Sequence, residues 1–195
     1  MNNMIKSTVA GALVAAGVAM TAPANAGQYV NAQLGVSEIG SYSTAYGSYS
    51  WDNGLALIGT YGIELPSVHK YFAVEGEISK SIVNPESNNY WGGLGSHAEY
   101  DYWTAGGYAV FSIPVHERIN IRARAGLVYN NWDITTNYCP ATLGCFSYSG
   151  SDINPSVSGG ATFKFNENIN FMAELTSFDI NDGNFHLSAG AQFRF

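Results

Sequence analysis

Charge is scarce in this sequence, and positive charge is scarcest. Only 12% of the 195 residues are Asp, Glu, Lys or Arg, against about a quarter in ordinary soluble domains. Eight Lys and Arg stand against fifteen Asp and Glu, a formal charge of −7, which leaves no basic footprint for nucleic acid. Long apolar runs are missing too. Beyond the N-terminal segment nothing approaches eighteen consecutive apolar residues, which excludes a helical membrane protein. Cysteine is confined to Cys139 and Cys145. They bracket CPATLGC with no C-x-x-C and no neighbouring His, so neither redox chemistry nor a zinc module is indicated. Recognisable cofactor loops are absent as well. Asn89–Gly95 (NYWGGLG) is followed by no Lys-Ser/Thr, and Asp179–Gly183 (DINDG) is too short a fragment of a calcium loop. No cofactor or metal is therefore expected.

What is abundant is Gly (22), Tyr (13) and Phe (10). The N-terminus reads as a cleaved signal peptide over residues 1–26: Lys6, the small apolar run Thr8–Met20, then Ala24-Asn25-Ala26 before Gly27. Its removal, with Lys6, takes the charge from −7 to −8. An exported chain makes a Cys139–Cys145 disulfide the default.

Asn184–Phe195 (NFHLSAGAQFRF) alternates strictly. Phe185, Leu187, Ala189, Ala191, Phe193 and Phe195 are apolar; Asn184, His186, Ser188, Gly190, Gln192 and Arg194 are polar or small. A strand points successive side chains to opposite faces, so this segment has one greasy and one wet side. The same period recurs in seven earlier segments: about Tyr29–Ser37, Trp51–Glu64, Lys70–Ile82, Ala98–Ile113, Ile119–Asn130, Ser156–Phe165 and Ile169–Thr176. In Ala98–Ile113 both faces carry aromatics and Gly; Trp103, Ala105, Ala109 and Phe111 are assigned outward. Connections alternate long and short. Glu38–Ser50, Asn84–His97 and Asn131–Asp152 are long and polar; Leu65–His69, Pro114–Arg118 and Asn166–Asn168 are short, and Asp179–Gly183 carries an Asp-Gly hairpin signal.

Each strand is long enough to cross a bilayer when tilted, and short inner turns with longer outer loops are the asymmetry of outer-membrane barrels. The expectation is an eight-stranded antiparallel transmembrane up-and-down β-barrel over residues 27–195, monomeric, in the bacterial outer membrane. A soluble barrel would need the inner faces turned outward, leaving a surface with too little charge.

With its HLSAGAQFRF terminus, its eight alternating strands and its exported N-terminus, the chain resembles the small OmpA-like/OmpX-type outer-membrane barrel proteins of Gram-negative bacteria. Leu57–Ile82 (LIGTYGIELPSVHKYFAVEGEISKSI) is similar to an early hairpin of that family. The resemblance implies insertion by the outer-membrane assembly machinery, with Phe193 and Phe195 in the recognition signal, and contact with outer-membrane lipid and lipopolysaccharide. It also implies that the peptidoglycan-binding domain of full-length OmpA is not part of this chain.

Candidate chemistry is concentrated in two places. On the inward faces, Glu75, Glu77, Arg122, Arg124 and Glu174 fall at similar depth. A barrel this narrow is filled by side chains, so these groups are expected to pair as a plug; the alternative is a narrow gated channel whose pairs exchange. At the outer end, Glu38, Asp52, Glu86, Glu99, Asp101, Asp133, Asp152, Asp179 and Asp182 form an acidic rim with Lys80 as the nearest cation. That rim argues against a heparin- or DNA-binding adhesin, and beside anionic lipopolysaccharide it needs divalent cations or a stand-off. Tyr42, Tyr46, Tyr49, Tyr90, Trp91, Trp132, Tyr138 and Tyr148 crowd the same end, mostly as an aromatic girdle, a minority as contacts for a host or phage protein. His186 and Ser188 share a face and invite comparison with lipid A-modifying enzymes. They point into the lumen and lack an orienting third group, so an inert interior pair is expected. His69, His97 and His116 stand alone in connections without metal spacing.

Overall fold

The computed structural model describes residues 27–40, 42–44, 47–87, 97–137, 147–180 and 183–195. The wall is made of eight strands: β1 (Gln28–Glu38), β2 (Gly54–Glu64), β3 (Phe72–Val83), β4 (His97–His116), β5 (Ile119–Asn137), β6 (Ser147–Lys164), β7 (Ile169–Asp179) and β8 (Asn184–Arg194). Each runs antiparallel to the one before it, and β8 pairs with β1 from Arg194↔Tyr29 to Phe185↔Glu38, closing the ring. Closure satisfies the backbone of every wall strand and removes the edges that hydrocarbon would not tolerate. The expected signal peptide (residues 1–26) and the expected Cys139–Cys145 disulfide lie outside the described residues.

The wall is apolar outside and polar inside. Along β1, Leu34 is 59% exposed while Gln33 beside it is 2% exposed. Leu57, Ile78, Leu175 and Leu187 continue the outer belt; Gln33, Thr60, Ser79, Asn130 and Gln192 line the interior. In water, leaving each such Leu or Ile uncovered would forfeit about 1.5–3 kcal/mol of burial. The belt therefore requires an apolar surrounding. Phe72, Phe111, Phe163, Phe171 and Phe193 lie around the end that carries the short turns, and Trp103 packs on Tyr129 at the other, with ring centroids 5.4 Å apart. These are two aromatic girdles flanking an apolar band.

The short turns have local causes. Asn166 Oδ1 accepts from the amides of Asn168 and Ile169, at 2.9 and 2.8 Å, a side-chain mimic of a backbone turn. Gly183 takes φ +73° and donates its amide to Asp179 at 3.0 Å, a conformation in which a Cβ is disfavoured. Pro114 sits where the β4–β5 register slips, a site that tolerates its missing donor. As a result the turn tightens to Glu117–Arg118 instead of starting at Pro114.

Strand limits differ from the sequence reading at the outer end. Asn131–Asn137 and Ser147–Asp152, read as loop, continue the β5–β6 ladder through Asn131↔Ser151 and Thr135↔Ser147. Their polarity looked loop-like, but above the lipid band a strand needs no apolar side. The β-branched Ile134, Thr135 and Thr136 suit the pleat. Glu86–Ser87, read as loop, is a short strand on the start of β4. Ile63, at an odd position of β2 whose parity is outward, is 2% exposed, and the alternation breaks at Gly62–Ile63 near the end of the strand.

Candidate functional site: the barrel lumen and its outer mouth

Strand parity turns the five inward charges toward one another. Glu75 and Glu77 come from β3, Arg122 and Arg124 from β5, and Glu174 from β7, so the cluster ties opposite walls together. Arg122 binds Glu75 through Nη2 and reaches Glu174 Oε1 with Nε at 3.1 Å. Arg124 Nη1 donates to Glu77 at 2.6 Å and to Glu75 at 3.2 Å, while Nη2 donates to Thr176 at 3.0 Å. Arg124 Nε lies 3.0 Å from Glu174 Oε1, but the pair is not aligned as a hydrogen bond. All five side chains are buried, none more than 6% exposed. Burying ions this deeply costs several kcal/mol each unless every one has a partner. Crosslinked Arg–Glu pairing supplies those partners.

Aromatic hydroxyls extend the network. Tyr29 donates to Glu75 at 2.6 Å, and Tyr108 hydrogen-bonds Ser156 at 3.0 Å. The Tyr108 ring also lies 4.4 Å beneath the Arg124 guanidinium, a cation–π contact. Glycine makes the room. A Cβ at Gly160, opposite Glu174, would fall 2.3 Å from the Ala173 carbonyl oxygen.

Outward of the ions lies a second layer that the sequence reading missed. Ile39, Trp51, Ile58, Tyr102, Ile134 and Phe178 form a buried apolar cluster inside the lumen, with Tyr100 and Trp132 packed on it. Trp132, assigned to the girdle, stacks on Tyr100 with centroids 6.2 Å apart in the barrel mouth. Its even position puts it on the inward face with Ile134. The signal available was the ambiguity of β4, whose inward face carries Tyr100, Tyr102 and Tyr108. The side chains of Tyr42, Tyr46, Tyr49, Tyr90, Trp91 and Tyr138 lie outside the described residues.

His186 and Ser188 do not form a nucleophile–base pair. His186 Nε2 meets the Tyr102 hydroxyl at 2.7 Å and its ring packs tilted against Phe178; Ser188 donates to Gln33 at 2.8 Å and to the Glu174 carbonyl oxygen at 3.2 Å. Below the ions, toward the short turns, a cavity of about 280 Å³ is lined by Tyr29, Glu64, Ser112, Arg122, Gln192 and Arg194. That vestibule ends at the Arg122 layer.

On the outer rim, Lys80 pairs with Asp101. His97 is not alone as the sequence suggested: Glu86 and Glu99 stand beside it at 3.7 and 3.8 Å. The sequence hides this neighbour because Glu86 lies in a stretch of loop-like composition, and only cross-strand pairing brings it opposite Glu99. Phe193 faces outward on β8 against Val30 and Ile169, 46% exposed, and Phe195 follows at 70%.

A polar, ion-paired lumen inside an apolar belt is the interior of a membrane barrel, and comparison with known proteins agrees. The family described as outer membrane protein beta-barrel domain matches residues 9–195. The chain belongs to this family. Its barrel resembles that of Neisserial surface protein A, at 16% identity and a TM-score of 0.57, over 86% of this chain and 97% of that one. The N-terminal β-barrel domain of Pseudomonas aeruginosa OprF aligns at 13% identity and TM-score 0.55, over 88% and 98% of the two chains. Ail, the attachment invasion locus protein of Yersinia pestis, in complex with the heparin analogue sucrose octasulfate, aligns at 13% and 0.52, over 87% and 97%. No curated protein sequence matches. The similarities are of fold, and they place this barrel in the bacterial outer membrane.

Proposed function

We propose that this outer-membrane barrel has a structural or cell-surface interaction role, with a lumen closed by side chains and no catalytic centre. The observation that carries the reading is the double closure of the interior. The Arg122/Arg124–Glu75/Glu77/Glu174 cluster crosses the lumen, and the Trp51–Tyr102–Ile134–Phe178 layer covers it. An ion passing through would have to part several buried pairs and an apolar layer, each costly in a low-dielectric interior. The separation of His186 from Ser188 by their own partners supports the absence of catalysis.

Contact with other molecules then falls to the loop end. The Ail barrel is known with a heparin analogue; here Glu86, Glu99, Asp101 and Asp133 share the outer wall of the mouth, so a polyanion is a poor fit. A host or phage protein with a basic surface suits it better, alongside lipopolysaccharide held through divalent cations. Export with cleavage after Ala26, a Cys139–Cys145 bridge in the third outer loop, and delivery to the assembly machinery through Phe193 and Phe195 belong to the same reading.

Planar-bilayer recording tests the closed lumen. Purified barrel should give no stepwise conductance, whereas reproducible unitary currents from the native protein would favour the channel reading. Lipid A mass spectra unchanged by gene deletion are expected alongside; a lost or gained acyl chain would reopen catalysis.

A further inference from the structure

The outer wall above the Trp103–Tyr129 girdle has a register that sheet packing disfavours. Glu86 stands directly opposite Glu99 across two antiparallel strands, and like charges at such positions repel. His97 precedes Glu99 by two residues, so strand geometry puts both on one face. The His97 Nε2 atom lies 3.7 Å from Glu86 Oε2 and 3.8 Å from Glu99 Oε1. One ligand atom from each residue falls within 4.8 Å of the others. The short strand is held on both sides: the Asp52 amide donates to the Glu86 carbonyl at 2.8 Å, and the Tyr100 amide to the Pro85 carbonyl at 2.9 Å.

We propose that Glu86, His97 and Glu99 form a binding site for Zn²⁺ on the outer rim of the barrel. An imidazole with two carboxylates is a donor set that zinc accepts, three protein ligands leaving a fourth position for water. Calcium is a poor match, because it wants six to eight oxygens and takes no imidazole. The spacing is close to what coordination needs. Donors about 2.1 Å from a tetrahedral ion sit about 3.4 Å apart, so His97 must draw toward each carboxylate by less than about half an ångström, and no pair has to close by more than about 1.4 Å. Their side chains, 28%, 51% and 39% exposed for His97, Glu86 and Glu99, are open to an ion arriving from solution. The ion's double charge cancels the two carboxylates and converts their repulsion into shared attraction.

The test uses the untagged full-length mature protein in detergent, stripped with EDTA and titrated calorimetrically with ZnCl₂ and, separately, CaCl₂. One zinc equivalent should bind, with no saturable calcium binding at the same concentrations. His97→Ala and Glu99→Gln should each weaken zinc at least tenfold, while Asp101→Asn binds as the native protein does. Native barrel that takes up no zinc, or His97→Ala and Glu99→Gln proteins that bind it undiminished, would overturn the site. Should either variant fail to fold, Co²⁺ added to the native protein decides: an intense tetrahedral visible spectrum supports the site, and a pale hydrated-ion spectrum refutes it.

Discussion

The Tyr29 ring occupies the space that a side chain at Gly62 would need. The two residues are cross-strand partners on β1 and β2, and a Cβ at Gly62 would fall 2.2 Å from the ring's Cζ. With the ring laid over glycine, its hydroxyl reaches Glu75 at 2.6 Å. One missing methyl thus sets the position of a tyrosine, and the tyrosine steadies a buried carboxylate. Gly62→Ala should destabilise the barrel by about 1–3 kcal/mol, the usual penalty for overpacking. Gly59→Ala is the control, since a Cβ there meets nothing closer than Ile78 Cγ1 at 3.8 Å. Urea unfolding in lipid vesicles, followed by tryptophan fluorescence, reads both. Equal stability of the two variants would show that Tyr29 has room to move.

Removal of one lumen cation should cost more than removal of an ion pair. In Arg124→Met, Glu77 loses its closest cation and Glu75 one of two. A stranded buried charge costs about 3–5 kcal/mol. Arg124→Met with Glu77→Gln should recover part of that loss. A double-mutant cycle in which the two losses simply add would mean that the pair is not coupled.

Lipid contact makes a graded forecast along the outer wall. Leu34 lies mid-strand on β1, whereas Thr135 lies on β5 beyond the Tyr129 girdle; both face outward. Leu34→Arg should cost about 2–4 kcal/mol and Thr135→Arg about 0–1, following depth in the bilayer. Comparable penalties at the two positions would contradict the placement of the apolar band.

Orientation is open to labelling on intact cells. In a Cys139→Ser/Cys145→Ser background, Ser149→Cys should react with a membrane-impermeant maleimide, and Ser67→Cys in the Leu65–Tyr71 turn should not. Reversed reactivity would turn the barrel over.

The periodic part of this fold was legible because it is local. Alternation in β1, β5, β7 and β8 carries both the strand and its facing, and parity alone brings Arg122 and Arg124 to the same interior as Glu75, Glu77 and Glu174. What stayed hidden depends on cross-strand pairing. Tyr102 against His186, 84 residues away, and Glu86 opposite Glu99 become neighbours only through register. The apolar layer around Ile58 and Phe178 was also invisible, since an inward Ile or Phe contradicts the polar-lumen rule until one sees that the mouth has a small core of its own. The upper ladder was missed for a simpler reason: outside the lipid band, strands no longer need an apolar side.

That upper ladder fixes what a visitor meets first. From Tyr129 to Asn137, β5 runs eight further residues paired with β4 or β6, and at about 3.4 Å per residue with a tilt of roughly 40° it stands on the order of 20 Å proud of the girdle. A stiff three-stranded blade of that height lifts its tip clear of the lipid heads rather than leaving it flush with them. Any large molecule approaching from that end would therefore collide with the crest of β4, β5 and β6 before reaching the bilayer surface.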